Sequence, residues 1–166
     1  RAPNGVKFDV PKTSSLLDQR ICIFLPHALI VRAGQKLHFK NSDTALHNVK
    51  TAPGLNQGSN ESMPPGAELD MIFKRAERAP FSSECAIHPW MRFWTLVVDH
   101  PYAAVTDANG NFTIPDLPAG KHTFKIWHER GSSNGLLERS VEITVKPGET
   151  HTQEFKYDAA SFGLAG

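Results

Sequence analysis

Seven residues, Cys85-Ala86-Ile87-His88-Pro89-Trp90-Met91, put a thiol, an imidazole and a thioether at C-x2-H-x2-M spacing. These donor types suit copper. A thiolate is soft and binds Cu(I) well, an imidazole suits both oxidation states, and a thioether makes a weak axial contact. A trigonal site of two His and one Cys with a long axial Met needs one more imidazole. The candidate is His47, in Asn41-Ser42-Asp43-Thr44-Ala45-Leu46-His47-Asn48-Val49. It lies far upstream of Cys85, so no local spacing can bring the donors together and the fold must do it. A bound metal would drive ionisation of Cys85. Pro89 removes a backbone donor and stiffens the loop.

The elements that must position these residues read as β-strands. Ile21–Leu25 is an apolar run ended by Pro26, and Ala28–Val31 follows. Lys36–Lys40 alternates apolar and polar residues, Leu46–Lys50 and Leu69–Phe73 are short strands, and Phe93–Val98 is long enough to be central. Val6–Val10 alternates as a short edge strand inside an otherwise irregular arm over residues 1–20. Residues 52–66, rich in Pro, Gly and Asn, form a long loop. Beyond Asp99-His100-Pro101, Asn109-Gly110 is a hairpin signal, and Thr123–Trp127, Ser140–Val145 and Thr152–Tyr157 read as further strands. Short strands, frequent turns and no amphipathic helix make an all-β sandwich. The tail from Ala159 is expected to fray.

The 166 residues fit one domain or two small ones. No apolar run approaches the roughly 18 residues that span a bilayer. Arg1-Ala2-Pro3-Asn4 carries no apolar leader, and a chain opening on Arg is read as a processed, exported form. Net charge is +1, which gives a nucleic-acid partner no support. The charge is uneven: residues 1–99 hold 12 Lys and Arg against 9 Asp and Glu, whereas residues 100–166 hold 6 against 8. The basic front half hints at an acidic docking partner. Two cysteines, Cys22 and Cys85, exclude a disulfide-rich scaffold, and a bridge between them would remove the thiolate donor. Cys22 is read as a small buried apolar residue on its strand. His27, His38, His100, His122, His128 and His151 lack a paired motif and are read as surface or hydrogen-bonded histidines.

Val31-x2-Gly34-x2-Leu37-x-Phe39-x-Asn41 followed by His47-Asn48-Val49 resembles the first-histidine region of cupredoxins. Cys85-x2-His88-Pro89-Trp90-Met91-Arg92 is similar to the ligand loop of amicyanins, the short-loop members of that family. The resemblance covers about residues 21–99. It implies a Greek-key β-sandwich holding one type 1 (blue) copper, with His47, Cys85, His88 and Met91 as ligands. It also implies that the Asn48 amide donates to the cysteine sulfur, and that electrons pass through the edge of His88. The long 52–66 loop and Trp90 depart from the family pattern.

Thr106-Asp107-x2-Gly110-x-Phe112-x-Ile114-x2-Leu117-Pro118-x-Gly120-x-His122-x-Phe124-x-Ile126 resembles the carboxypeptidase regulatory-like, transthyretin-like β-sandwich repeat, which implies no catalysis. Asp107-Ala108-Asn109-Gly110 lacks the closing Glu of a calcium loop and is read as a turn. The expected organisation is therefore a copper domain over residues 1–100 and a small β-sandwich module over 101–166, the latter a packing or docking element. The expected function is non-enzymatic: single-electron transfer between Cu(II) and Cu(I) with a redox protein such as a c-type cytochrome or a dehydrogenase, in the periplasm or otherwise exported. The alternative is a copper carrier or a non-catalytic copper-binding subunit of a larger redox complex. A paired-thiolate dinuclear centre needs two cysteines in the ligand loop, which has only Cys85.

Overall fold

The structure, a computed structural model, describes residues 6–132 and 134–164. Arg1–Asn4 lie outside the described residues, as do residues 165 and 166 of the tail. The chain divides into two compact units, Arg1–Ile114 and Pro115–Gly166.

The first unit is built from nine strands: β1 (Ser15–Arg20), β2 (Ile23–Leu25), β3 (Ala28–Arg32), β4 (Lys36–Asn41), β5 (His47–Thr51), β6 (Ser59–Met63), β7 (Glu68–Ile72), β8 (Phe81–Glu84) and β9 (Arg92–Val98). One sheet has the order β2-β1-β4-β7 and the other β3-β9-β8-β5-β6. Each contains one parallel pair, β1 with β4 and β3 with β9, and the remaining pairs are antiparallel. The pleat explains the packing. Alternate residues of a strand face one side, and Leu37, Phe39 and Asn41 on β4 and Phe93, Thr95 and Val97 on β9 all point inward and are buried. Across the interior, Phe93 meets Phe24 and Phe39 at ring-centroid distances of 4.6 and 5.9 Å. Burying each such ring contributes about 1.5–3 kcal/mol, so these rings anchor the two sheets face to face.

Three strands depart from the expectation: β1, β6 and β8, the last at Phe81–Glu84, where no strand was expected. β1 lies at 15–20, not 6–10, and residues 6–10 form no strand. Its inward positions are Leu17 and Gln19, and the polar second position hides the alternation; the Gln19 amide donates to the Asn48 carbonyl at 3.1 Å. β6 crosses the expected 52–66 loop as the polar run Ser59-Asn60-Glu61-Ser62-Met63, paired to β5 at the sheet edge. The apolar pair Ile21-Cys22 is not strand but the turn between β1 and β2, with φ of 57° and 51°. Cys22 is accordingly half-buried against the core rather than on a strand.

In the second unit β10 (Gly120–Trp127) and β11 (Leu136–Val145) form an antiparallel two-stranded sheet. Apolar Phe124 and Ile126 alternate with exposed Thr123 and Lys125, the pattern read from the sequence. Thr152–Tyr157 is not assigned as strand. A short 3-10 helix, Ala159–Phe162, orders part of the tail; the Asp158 carboxylate accepts from the Ser161 N–H at 2.9 Å. Asn109-Gly110 sits in a turn of the first unit, closed by the Gly110 N–H donating to the Asp107 carbonyl at 3.0 Å.

Candidate metal centre

Cys85 follows β8 directly and Met91 immediately precedes β9. The last register pair of that hairpin is Glu84 with Arg92, so the C-x2-H-x2-M segment is its connecting loop. Two backbone bonds close it: the Cys85 N–H donates to the Met91 carbonyl at 3.0 Å, and the Met91 N–H to the His88 carbonyl at 2.9 Å. The side chain of Asn48 on β5 fastens the same loop from the side. Its Oδ1 accepts from the Ala86 N–H at 2.6 Å, and its Nδ2 donates to Asn60 Oδ1 on β6. The sequence resemblance pointed to the Asn48 backbone amide; the bond from Asn48 to this loop runs through its side chain.

His47 is the first residue of β5 and is fully buried. Asn41, also fully buried, shapes the approach to it. The Asn41 Nδ2 donates to the carbonyls of Ala45 at 2.9 Å and Met63 at 2.7 Å, and its Oδ1 accepts from the Asp43 N–H at 2.9 Å. These bonds set the loop before His47 against β6.

The fold brings three of the four expected residues into ligating reach of one another. The ligand atoms of His47, Cys85 and His88 all lie within 4.8 Å. His47 Nδ1 is 3.0 Å from His88 Nδ1, and Cys85 Sγ is 3.7 Å from His88 Nδ1. Metal–nitrogen and metal–sulfur bonds of about 2.0 and 2.3 Å in a trigonal plane would separate N and S by about 3.7 Å, so the thiol–imidazole spacing already fits one shared ion. Met91, the fourth, is buried at the loop's end. Cys85 and Cys22 are both free thiols, so Cys85 remains available as a donor.

The far nitrogen of His47 fixes its tautomer. Nε2 lies 2.8 Å from Asp43 Oδ2. A carboxylate only accepts, so Nε2 carries the proton and Nδ1 presents its lone pair to the site. Burial alone would raise the Asp43 carboxyl. Hydrogen bonds from the Cys22 N–H, the His47 ring and the Ile21 N–H outweigh burial and hold it below the usual carboxylate range. The sequence gives Asp43 no role of its own; the signal available was an acidic residue four positions before the candidate histidine.

Three of the other histidines have partners elsewhere. His38 bonds to Asp70 at 2.7 Å, His122 to the Pro118 carbonyl at 2.7 Å, and His128 Nδ1 accepts from the Arg130 N–H at 3.1 Å. Around the loop, Leu46, Ile87 and Trp90, each one residue before a site residue, are exposed. Met63 is buried on β6 opposite His47 in the β5–β6 register.

The fold and site together define an all-β protein in which two imidazoles and a thiol converge where β5 begins and the β8–β9 hairpin turns. No family model and no curated protein matches the chain. Among solved structures, it is similar to a purple cupredoxin from Nitrosopumilus maritimus, at 16% identity and TM-score 0.43 over 50% of this chain and 98% of that one. It is similar to a reduced amicyanin variant at 21% identity and TM-score 0.46 over 54% of this chain and 86% of that one. It is also similar to a Cu-containing nitrite reductase (NirK) from Thermus scotoductus SA-01, at 17% identity and TM-score 0.48 over 60% of this chain and 25% of that one.

Proposed function

We propose that His47, Cys85, His88 and Met91 hold one type 1 copper ion, and that the protein carries single electrons between redox proteins rather than catalysing a reaction. The observation that carries this reading is the convergence of His47 Nδ1, Cys85 Sγ and His88 Nδ1 within 4.8 Å. Copper, when bound, supplies the one-electron couple. The chain supplies a donor set that both oxidation states accept: a soft thiol, two imidazoles, and a thioether as a weak axial contact. Four protein donors leave no open position for a substrate.

The residues around the donors limit rearrangement. Asp43 keeps the His47 proton on Nε2 and its lone pair inward. Asn48 and the two backbone bonds hold the Cys85–Met91 loop before any ion arrives. A preset loop changes little between oxidation states, which favours fast transfer. His47 and Cys85 are buried, whereas His88 is half-buried and Trp90 is exposed, so the loop is the side of the site open to a partner. The exposed Leu46, Ile87 and Trp90 suit brief docking with a c-type cytochrome or a dehydrogenase. In this reading residues 1–100 are the copper domain, residues 101–166 a docking or packing module, and the protein is periplasmic or otherwise exported.

Adding Cu(II) to the metal-free protein tests the proposal. One equivalent should give an intense visible sulfur-to-copper band and the EPR signature of a type 1 site. Cys85→Ala should abolish the band, and Cys22→Ala should keep it. Uptake of Cu(I) with no intense colour on oxidation would instead indicate a copper carrier.

A further inference from the structure

The turn between β1 and β2 is unusual in its chemistry. Ile21 and Cys22 both take left-handed backbone conformations, at φ of 57° and 51°, where Asn and Gly are the usual occupants. Such conformations persist when the surroundings over-determine them, and here two groups do. From one side the Asp43 carboxylate accepts from the Ile21 N–H at 2.6 Å and from the Cys22 N–H at 2.9 Å. From the other, the Trp90 indole N–H donates to the Cys22 carbonyl at 3.0 Å. Both groups also touch the candidate ligands. Asp43 accepts from His47 Nε2 at 2.8 Å, and the Trp90 ring lies 5.2 Å from the His88 ring, tilted by 58°. A continuous path of contacts therefore runs from one imidazole through Asp43, the turn and Trp90 to the other imidazole.

We infer that the Ile21-Cys22 turn is an external brace on the metal centre, and that Trp90 is a positioning residue that latches His88 to it. The inference rests on the copper reading for its consequence but not for its geometry. His47 and Cys85 are buried, so an ion leaves most easily past His88, the half-buried donor in mid-loop. Swinging His88 outward requires Trp90 to move, and moving Trp90 breaks its bond to the Cys22 carbonyl. Copper release is therefore gated by a hydrogen bond to a turn more than sixty residues away in sequence.

Trp90→Phe tests the latch because it keeps an aromatic ring beside His88 while removing the indole N–H that donates to the Cys22 carbonyl. Two measurements on the full chain separate the latch from the copper reading. The first is amide hydrogen exchange of the metal-free protein, which should speed about five-fold at the hydrogen-bonded loop amides of Cys85, Ala86 and Met91, the worth of one net hydrogen bond, with β5 unchanged. The second is transfer of Cu(I) from the loaded protein to a strong Cu(I) chelator, which should speed by a similar factor while the visible band keeps its intensity. Faster exchange in a chain that takes up no copper would support the brace and sink the copper reading. Normal copper uptake with both rates equal to the wild type would overturn the brace and leave the copper reading standing.

Discussion

Replacing Asn41 with Ala removes a side chain that joins β4, the loop before His47, and β6. Asn41 is fully buried and makes three hydrogen bonds, to the Ala45 and Met63 carbonyls and from the Asp43 N–H. Each is worth about 1 kcal/mol net, and the truncation leaves the partners buried without Asn41. Asn41→Ala should therefore cost about 3 kcal/mol. For a unit of this size that corresponds to a fall of roughly 12 °C or more in the melting temperature. A urea titration followed by tryptophan fluorescence should show a lower midpoint at unchanged slope. Copper affinity should drop as well, since Asp43 lies on the released loop and His47 follows it at the start of β5. Asn41→Asp should be at least as damaging, because a buried carboxylate would face two carbonyl oxygens. A loss below about 1 kcal/mol in Asn41→Ala, or near-native stability in Asn41→Asp, would refute the assigned orientation of this amide and the role built on it.

The other predictions concern the same unit. Asp43→Asn removes the carboxylate that fixes the His47 tautomer, and loss of such an outer partner typically costs 10–100-fold in metal affinity; a competitive chelator titration should show a fall in that range, and unchanged affinity would count against the tautomer argument. His100 is held below its ordinary value chiefly by burial. Its neutral form is favoured in the folded state, so stability should be full above the unfolded value of about 6.5 and fall as pH drops through and below it. His100→Gln should flatten that part of the stability–pH curve, and an identical curve in the variant would show that His100 does not contribute.

The candidate ligand set was legible because its chemistry is written in residue types: one thiol, one thioether and an imidazole at close spacing, with a second imidazole upstream. The central strands were legible for an equally local reason. β3, β4 and β9 carry Leu29, Val31, Leu37, Phe39, Phe93 and Val97 at alternating inward positions. What escaped was held by partners distant in sequence. Gln19 faces inward because the Asn48 carbonyl, 29 residues away, accepts its amide, so β1 shows no apolar alternation. β6 is polar because it lies at a sheet edge, where pairing to β5 rather than burial makes the strand. Ile21-Cys22 looked like the start of a strand because both residues are apolar and β-prone. Nothing local marks the turn, since its two N–H groups find their acceptor only when Asp43 arrives 21 and 22 residues later. The three misreadings share a cause: a propensity is a sum over neighbours in the chain, while a buried polar group answers to neighbours in space. The second set of neighbours is the one that holds His47 and His88 opposite each other. The candidate donors of this site could thus be named from the sequence, but the groups packed around them, Asp43, Asn48 and Asn41, find their partners only in the folded chain.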